Sequence, residues 1–328
     1  MIKPENGFFK QGCAFRINNQ EITQYPITLI LHDSDYVSWT AAGEKLFLNQ
    51  FPYAYIGTAP WLGSRTNDGE LPITHPAKRQ ILDLLLRQGE YGVIVYAVSE
   101  KKLRQPEMKA ECAYIKKQCK YARHILLKIE ELDHGREKDQ YADEAGLQLA
   151  VYETQEKAKT LFQQIKNEIS CSKPPCYWDK LNREWAEWMN YSIAEPLQER
   201  NHRILLVGDS ISVGYGDMVQ KMLPHYYVDR LNTSEGTHHI NYFRMLQIAL
   251  SEYPYEIIHI NNGIHIHGIS VREYSNNLTN IFQWIHLLSP DTKIIFAGTT
   301  CVSRRGNDGK DGGFNSKSFQ LGDRVPVK

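Results

Sequence analysis

The sequence predicts two α/β domains, each a doubly wound parallel sheet in three layers, the second incomplete. Two observations carry this. Short aliphatic runs alternate with helical periodicities from residue 26 to 169, and the alternation begins afresh at Arg203. Strands that alternate with helices need crossover connections, which favour a parallel sheet covered on both faces. A third observation agrees: 328 residues suit two cores better than one.

Residues 1–25 read as an N-terminal extension. Ile27–Leu31 reads as a short buried strand, Val37–Leu48 as a helix and Tyr53–Ile56 as a second strand. Pro60, Gly63, Asp68-Gly69 and Pro72 mark 60–75 as a loop. Ala77–Leu86 is helical, and Tyr91–Val98 is the clearest strand of this half. Met108, Cys112, Ile115 and Cys119 recur at helical spacing. Strands follow at Ile125–Ile129 and Leu147–Val151, and Ala158, Leu161, Phe162, Ile165 and Ile169 form one apolar helical face.

Ser170–Pro175 breaks both periodicities and reads as a linker. Tyr177–Ala194 is expected to be a helix carrying Trp178, Trp185 and Trp188, whose rings suit packing against a neighbouring domain better than a ligand platform. The second block has strands at Ile204–Val207, Tyr226–Arg230, Ile257–Ile260 and Lys293–Ala297. Between them lie helices at Val213–Leu223, Asn241–Tyr253 and Val271–Leu288. From Cys301 the chain turns polar and glycine-rich and reads as loop or disorder.

Lys plus Arg equals Asp plus Glu at 38 each, so there is no charge excess to favour nucleic acid as a partner. The spacing of the six cysteines fits neither a disulfide framework nor a zinc site, so reduced thiols and no bound metal are expected. The first residues lack the apolar core of a signal peptide, and no run approaches the ~18–20 residues that span a bilayer. A cytoplasmic location without a membrane partner is the expectation.

Chemistry enters at Arg203-Ile204-Leu205-Leu206-Val207-Gly208-Asp209-Ser210. An aliphatic strand running into Gly-Asp-Ser presents a hydroxyl at a strand's carboxyl end, where open α/β sheets keep their ligand crevice. Ser210 is therefore a candidate nucleophile, and its amide at a helix start can face a developing negative charge. With the blocks that follow, this region, about 203–302, resembles the SGNH (GDSL-type) hydrolases. Asn232-Thr233-Ser234-Glu235-Gly236-Thr237 follows the second strand, and Ile260-Asn261-Asn262-Gly263-Ile264-His265 the third. Ile294 to Thr299-Thr300 looks like the next strand and its turn. The resemblance implies a flavodoxin-like fold with Ser210 as nucleophile and Gly236, Gly263 and His265 around the oxyanion. Ile266 stands where the family usually has aspartate. The family's Asp-x-x-His block, which holds its base, has no counterpart before Lys328, so the domain reads as truncated and its activity as in doubt. His238, His239, His259, His265 and His267 are the substitutes to weigh, each subject to reach of Ser210.

In the first half, Tyr91–Val98 ends in Ser99, and twelve residues later Glu111 lies near a helix start. Leu29-Ile30-Leu31-His32-Asp33-Ser34-Asp35 looks like a first strand and an acidic loop. This pattern, over about 26–169, resembles Toll/interleukin-1 receptor (TIR) domains. The resemblance implies a glutamate, Glu111, that assists cleavage of the N-glycosidic bond of NAD, with Asp33, Asp35 and Ser99 lining the cleft. The family often has a tryptophan four positions earlier, where this chain has Glu107. The i, i+4 spacing of Glu107 and Glu111 equally fits a solvated helix face. Two functions follow as expectations: hydrolysis of an acyl ester or of NAD, with no cofactor beyond NAD as substrate, or non-catalytic signalling and self-association through TIR–TIR contacts.

Overall fold

Aliphatic runs of five to seven residues become parallel strands in both halves of the chain. The structure, a computed structural model, describes residues 8–18, 27–32, 53–57, 69–99, 103–129, 186–197, 202–266 and 269–298. The chain divides into two compact units, one of Gly12–Trp188 and one of Met1–Gln11 with Met189–Lys328. Both are α/β.

The described elements of the first half are β1 (Lys10–Asn18), β2 (Thr28–His32), β3 (Tyr53–Gly57), β4 (Gly69–Glu70), α1 (Pro76–Leu86), β5 (Val93–Ser99), α2 (Pro106–Gln118) and β6 (Arg123–Ile129). Their order across the sheet is β1-β3-β2-β5-β6, with β4 on β1. Strands β3, β2, β5 and β6 run parallel, and β1 is antiparallel to β3. Leu29, Val93, Ile94 and Val95 are completely buried, as expected of strands covered on both faces. Helix α1 buries Ile81, Leu82 and Leu85. Its last carbonyls accept from Gln88 and Tyr91, at 2.8 and 3.0 Å, which satisfies groups a helix end leaves open.

The second half has β7 (Ala186–Ala194), β8 (Arg203–Gly208), α3 (Ser210–Met222), β9 (Tyr227–Thr233), α4 (Ile240–Glu252), β10 (Ile257–Asn261), α5 (Val271–Leu288) and β11 (Lys293–Ala297). The order is β11-β10-β8-β9-β7. The four strands from β8 on are parallel, and Met189–Ser192 of β7 pair antiparallel with β9. Counting parallel strands in chain order, each half therefore shows the sequence 2-1-3-4, the doubly wound order of flavodoxin-like sheets, with a switch point between its first and third strands.

Two expectations are corrected. Residues 186–194 are a strand, not the end of a tryptophan-bearing helix; Tyr177–Trp185 lie outside the described residues. From Glu187 to Ala194 only Trp188 is not buried, so neither a helical nor an alternating pattern marks the strand in the sequence. The expected N-terminal extension contains the nine-residue strand β1. Val37–Leu48, Leu147–Val151, Ala158–Ile169, Ser170–Pro175 and the chain from Cys301 also lie outside the described residues. Among the described residues no helix is long and apolar enough to cross a membrane.

At the amino end of β8 a buried ion pair joins three strands. The Arg203 guanidinium lies 3.0 Å from both Asp229 oxygens and donates to the carbonyls of Ala194 and Glu195. Asp229 also accepts from the Ala194 amide and the Tyr255 hydroxyl, while Arg203 lies over the rings of Tyr227 and Tyr253. Burial raises the Asp229 carboxyl to about 6 against the opposing pull of Arg203.

Candidate functional site

The carboxyl ends of β8, β9 and β10 form the rim on which the predicted hydrolase residues lie. Helix α3 begins at Ser210 itself, three residues earlier than the apolar pattern suggests, because Asp209 caps it by accepting from the Ile211 amide at 2.8 Å. Ser210 is thus the first helical residue, and it is exposed. Gly208 is required for this tight start. A Cβ there would fall 2.6 Å from Ser212 Oγ and 3.2 Å from the Asn261 carbonyl. Ser212, unlike Ser210, is buried and committed, donating to the Asp209 carbonyl and accepting from Asn232.

The loops after β9 and β10 meet each other across the end of β8. The two strands are not neighbours, since β8 lies between them. Yet Asn262 Nδ2 donates to the Glu235 carbonyl at 3.2 Å, and a Cβ on Gly236 would fall 2.6 Å from the His265 carbonyl. The same Cβ would fall 2.7 Å from the His238 ring. The structure therefore brings Gly236 and His265 together over the strand that delivers Ser210. Gly263 is buried two residues beyond β10, and His265 is half-buried. His259 faces α3, its Nδ1 3.5 Å from the Tyr215 hydroxyl, and burial lowers its basicity. His267 and Thr299-Thr300 lie outside the described residues.

Sequence reasoning passed over a further feature of this rim. Glu235 and His239, four residues apart, form a buried pair with Oε2 2.5 Å from Nδ1. Glu235 Oε1 accepts from Asn241 Nδ2 at 3.2 Å, and the Glu235 amide donates to Thr233 Oγ1 at 3.0 Å. The carboxylate–histidine spacing directly after the second strand was the signal available. Around it, Asp209 Oδ2, Asn232 Oδ1, Thr237 Oγ1 and the Tyr242 hydroxyl are buried without a hydrogen-bond partner among the described residues. Burial, then Tyr274 and Asp209 nearby, raise the Tyr242 hydroxyl above its ordinary value. Buried polar atoms are normally satisfied, so their concentration here is the mark of a polar site rather than of packing.

No protein-family model and no curated protein matches the chain. What the two halves can do is thus argued from their geometry.

In the first half, Ser99 ends β5, paired with Ile129, at the switch point; Asp33 and Asp35 lie outside the described residues. Glu111 does not sit on a solvated face. It is 8% exposed, whereas Glu107 one turn earlier is exposed. Its carboxylate lies 3.2 Å from Nζ of Lys78, itself completely buried and also bonded to Glu70 of β4. Burial alone would lower the Lys78 ammonium, but the carboxylates of Glu111 and Glu70 beside it hold it well above its ordinary value. Burial raises the Cys13 thiol to about 12, which keeps it protonated and unreactive. Among the described residues no group of three or more His, Cys, Asp or Glu is arranged to hold a metal ion.

Proposed function

We propose that the second half is a serine hydrolase of the SGNH (GDSL) type acting on an acyl ester in the cytoplasm, with Ser210 as nucleophile. The observation that supports it best is the exposed Ser210 at the first position of α3, at the switch point of a 2-1-3-4 sheet, with the Gly236 and His265 loops folded across the strand beneath it. First-turn amides of a helix are unpaired donors and favour negative charge, which is what a tetrahedral oxyanion requires. Ser210, Gly236, Gly263 and His265 are the residues assigned to this site. The test is covalent labelling by a fluorophosphonate together with turnover of short-chain esters. Wild-type protein is expected to label, and Ser210→Ala to lose labelling altogether and turnover by at least ~1,000-fold. Absence of labelling in the wild type overturns the reading.

A second reading concerns the first half: cleavage of NAD, with Glu111 as the carboxylate that stabilises an oxocarbenium-like transition state and with Asp33, Asp35 and Ser99 as the further residues the TIR resemblance assigns. The burial of Glu111 favours this over a merely solvated glutamate, since a carboxylate in a low-dielectric setting acts more strongly on developing positive charge. Lys78 holds the same carboxylate, which counts against catalysis; the alternative is TIR-like self-association without it. NAD turnover that disappears in Glu111→Ala supports catalysis; no turnover at any protein concentration leaves the assembly role.

A further inference from the structure

We infer that His75 is a proton-operated cap: neutral, it closes the first turn of α1 and so keeps Lys78 on Glu70 and Glu111, and protonated, it lets that turn open. The inference goes beyond both functional readings and depends on neither.

The local sequence builds the cap. Proline restricts the residue before it to extended backbone, and His75, before Pro76, has φ −73° and ψ 129°, the conformation of a helix N-cap. Pro76 opens the helix and has no amide hydrogen, so Ala77 supplies the first amide of α1. That amide donates to His75 Nδ1 at 3.3 Å. The Arg79 amide donates to the His75 carbonyl at 3.3 Å, and the His75 amide to the Pro72 carbonyl at 2.9 Å. The ring itself belongs to a half-buried residue.

Serine, threonine, aspartate and asparagine are the usual N-caps, and their oxygens accept throughout the neutral range. Imidazole differs. It accepts only through an unprotonated ring nitrogen, and Nδ1 is the nitrogen used here, so this cap exists only while the ring is neutral with its proton on Nε2. A proton on Nδ1 removes the acceptor. It also sets a positive charge at the positive end of the helix dipole.

The charge cluster gives the cap its reach. Lys78 lies in the turn that His75 closes. It is completely buried and paired with Glu70 of β4 and with Glu111 of α2, the latter at 3.2 Å. One turn of helix therefore carries both the titrating cap and the cation that joins β4 and α2 to α1. The other charged and titratable groups on the elements packed here are Arg79 and Asp83 of α1, Tyr114 of α2 and Cys13 of β1. Lys78 stays charged, and the Cys13 thiol, raised to about 12, stays protonated across the neutral range. Burial holds the His75 ring below the ordinary histidine value. An imidazole lowered in the folded state contributes stability that is complete above its ordinary value of 6.5 and is lost as pH falls through the folded one. The cap therefore opens on acidification.

The experiment follows amide hydrogen exchange of the full-length protein from about pH 8 to about pH 5, corrected for the intrinsic pH dependence of exchange. The variants are His75→Asn, which caps without titrating, and His75→Ala, which does not cap. In wild type, protection of the Ala77 and Arg79 amides is expected to fall about 2- to 30-fold on acidification. His75→Asn should keep it level, and His75→Ala should be low throughout. Segments around Glu70 and Glu111 should lose protection on acidification in wild type but not in His75→Asn. Equal pH profiles in wild type and His75→Asn would overturn the inference. Protection at Glu70 and Glu111 that ignores pH while Ala77 responds overturns it too, since the cap would then not reach Lys78. If His75→Asn does not fold, nitrogen NMR of the wild-type ring decides. A neutral ring with its proton on Nδ1, or a titration at or above the ordinary histidine value, overturns the inference.

Discussion

The two halves of this chain share a sheet order and differ in what they do with the group at the rim. Each runs 2-1-3-4 in parallel, with an antiparallel strand, β1 or β7, beside its second parallel strand. In one half, Ser210 stands exposed at a helix start, and the loops after the two strands flanking β8 meet each other at Gly236 and His265. In the other, Glu111 is drawn into a buried charge cluster with Lys78 and Glu70. A common topology supplies a crevice, but the capping residue, the glycines and the placement of charges decide whether a reactive group is presented or held.

The sharpest way to break that contrast is to remove the cation. Lys78→Met strands two carboxylates in a buried site and is expected to cost about 3–5 kcal/mol, read as a shift of the urea transition. Adding Glu70→Gln and Glu111→Gln should recover much of this. A neutral Lys78→Met would mean that Glu111 is as available as Ser210, and the contrast would fail. Next in size, Gly236→Ala sets a methyl against the backbone carbonyl of His265. About 1–3 kcal/mol of stability and roughly tenfold in Ser210 labelling are expected to be lost as the loops part. Unchanged labelling would show that the two loops do not shape the serine site. The smallest effect sharpens the boundary of that site. Ser270 caps α5 in a reciprocal capping box with Glu273. Ser270→Ala should cost about 1 kcal/mol in denaturation and leave labelling untouched.

Most strands and helices of the parallel cores were legible, since buried parallel strands are aliphatic runs and their helices carry one apolar face. Two of the strands that escaped are those set antiparallel at the second parallel strand; the third, the two-residue β4, falls within the stretch 60–75 expected to be a loop. β7 mixes Glu187, Asn190 and Ser192 with Trp188, Met189 and Tyr191, all but Trp188 buried, so polarity did not track exposure. In β1 a glycine, a cysteine and an alanine precede Phe15, leaving little hydrophobic signal. At the site, Ser210, Gly236 and His265 could be named from their strand ends, and the fold sets Gly236 and His265 together. His239 could be named as one of several histidines, but its pairing with Glu235 could not, because an i, i+4 carboxylate–imidazole contact in a loop has no periodic signal of its own. Glu111 was visible as a residue but not as a partner, because Lys78 lies 33 positions away and only the packing of α1 against α2 joins them.

The Arg203–Asp229 pair has a consequence for how the sheet finds its alignment. Asp229 accepts from groups of three segments, Ala194, Arg203 and Tyr255, and all of these contacts depend on Asp229 standing opposite Leu205. A slip of β9 by one residue would turn Asp229 to the other face of the sheet, leaving a guanidinium without its counter-charge in the interior. Aliphatic strands such as β8 tolerate sliding, since one branched side chain packs much like the next. The ion pair acts as a locating pin at the far end of the strand, and it fixes to the residue where Gly208 stops and Ser210 begins.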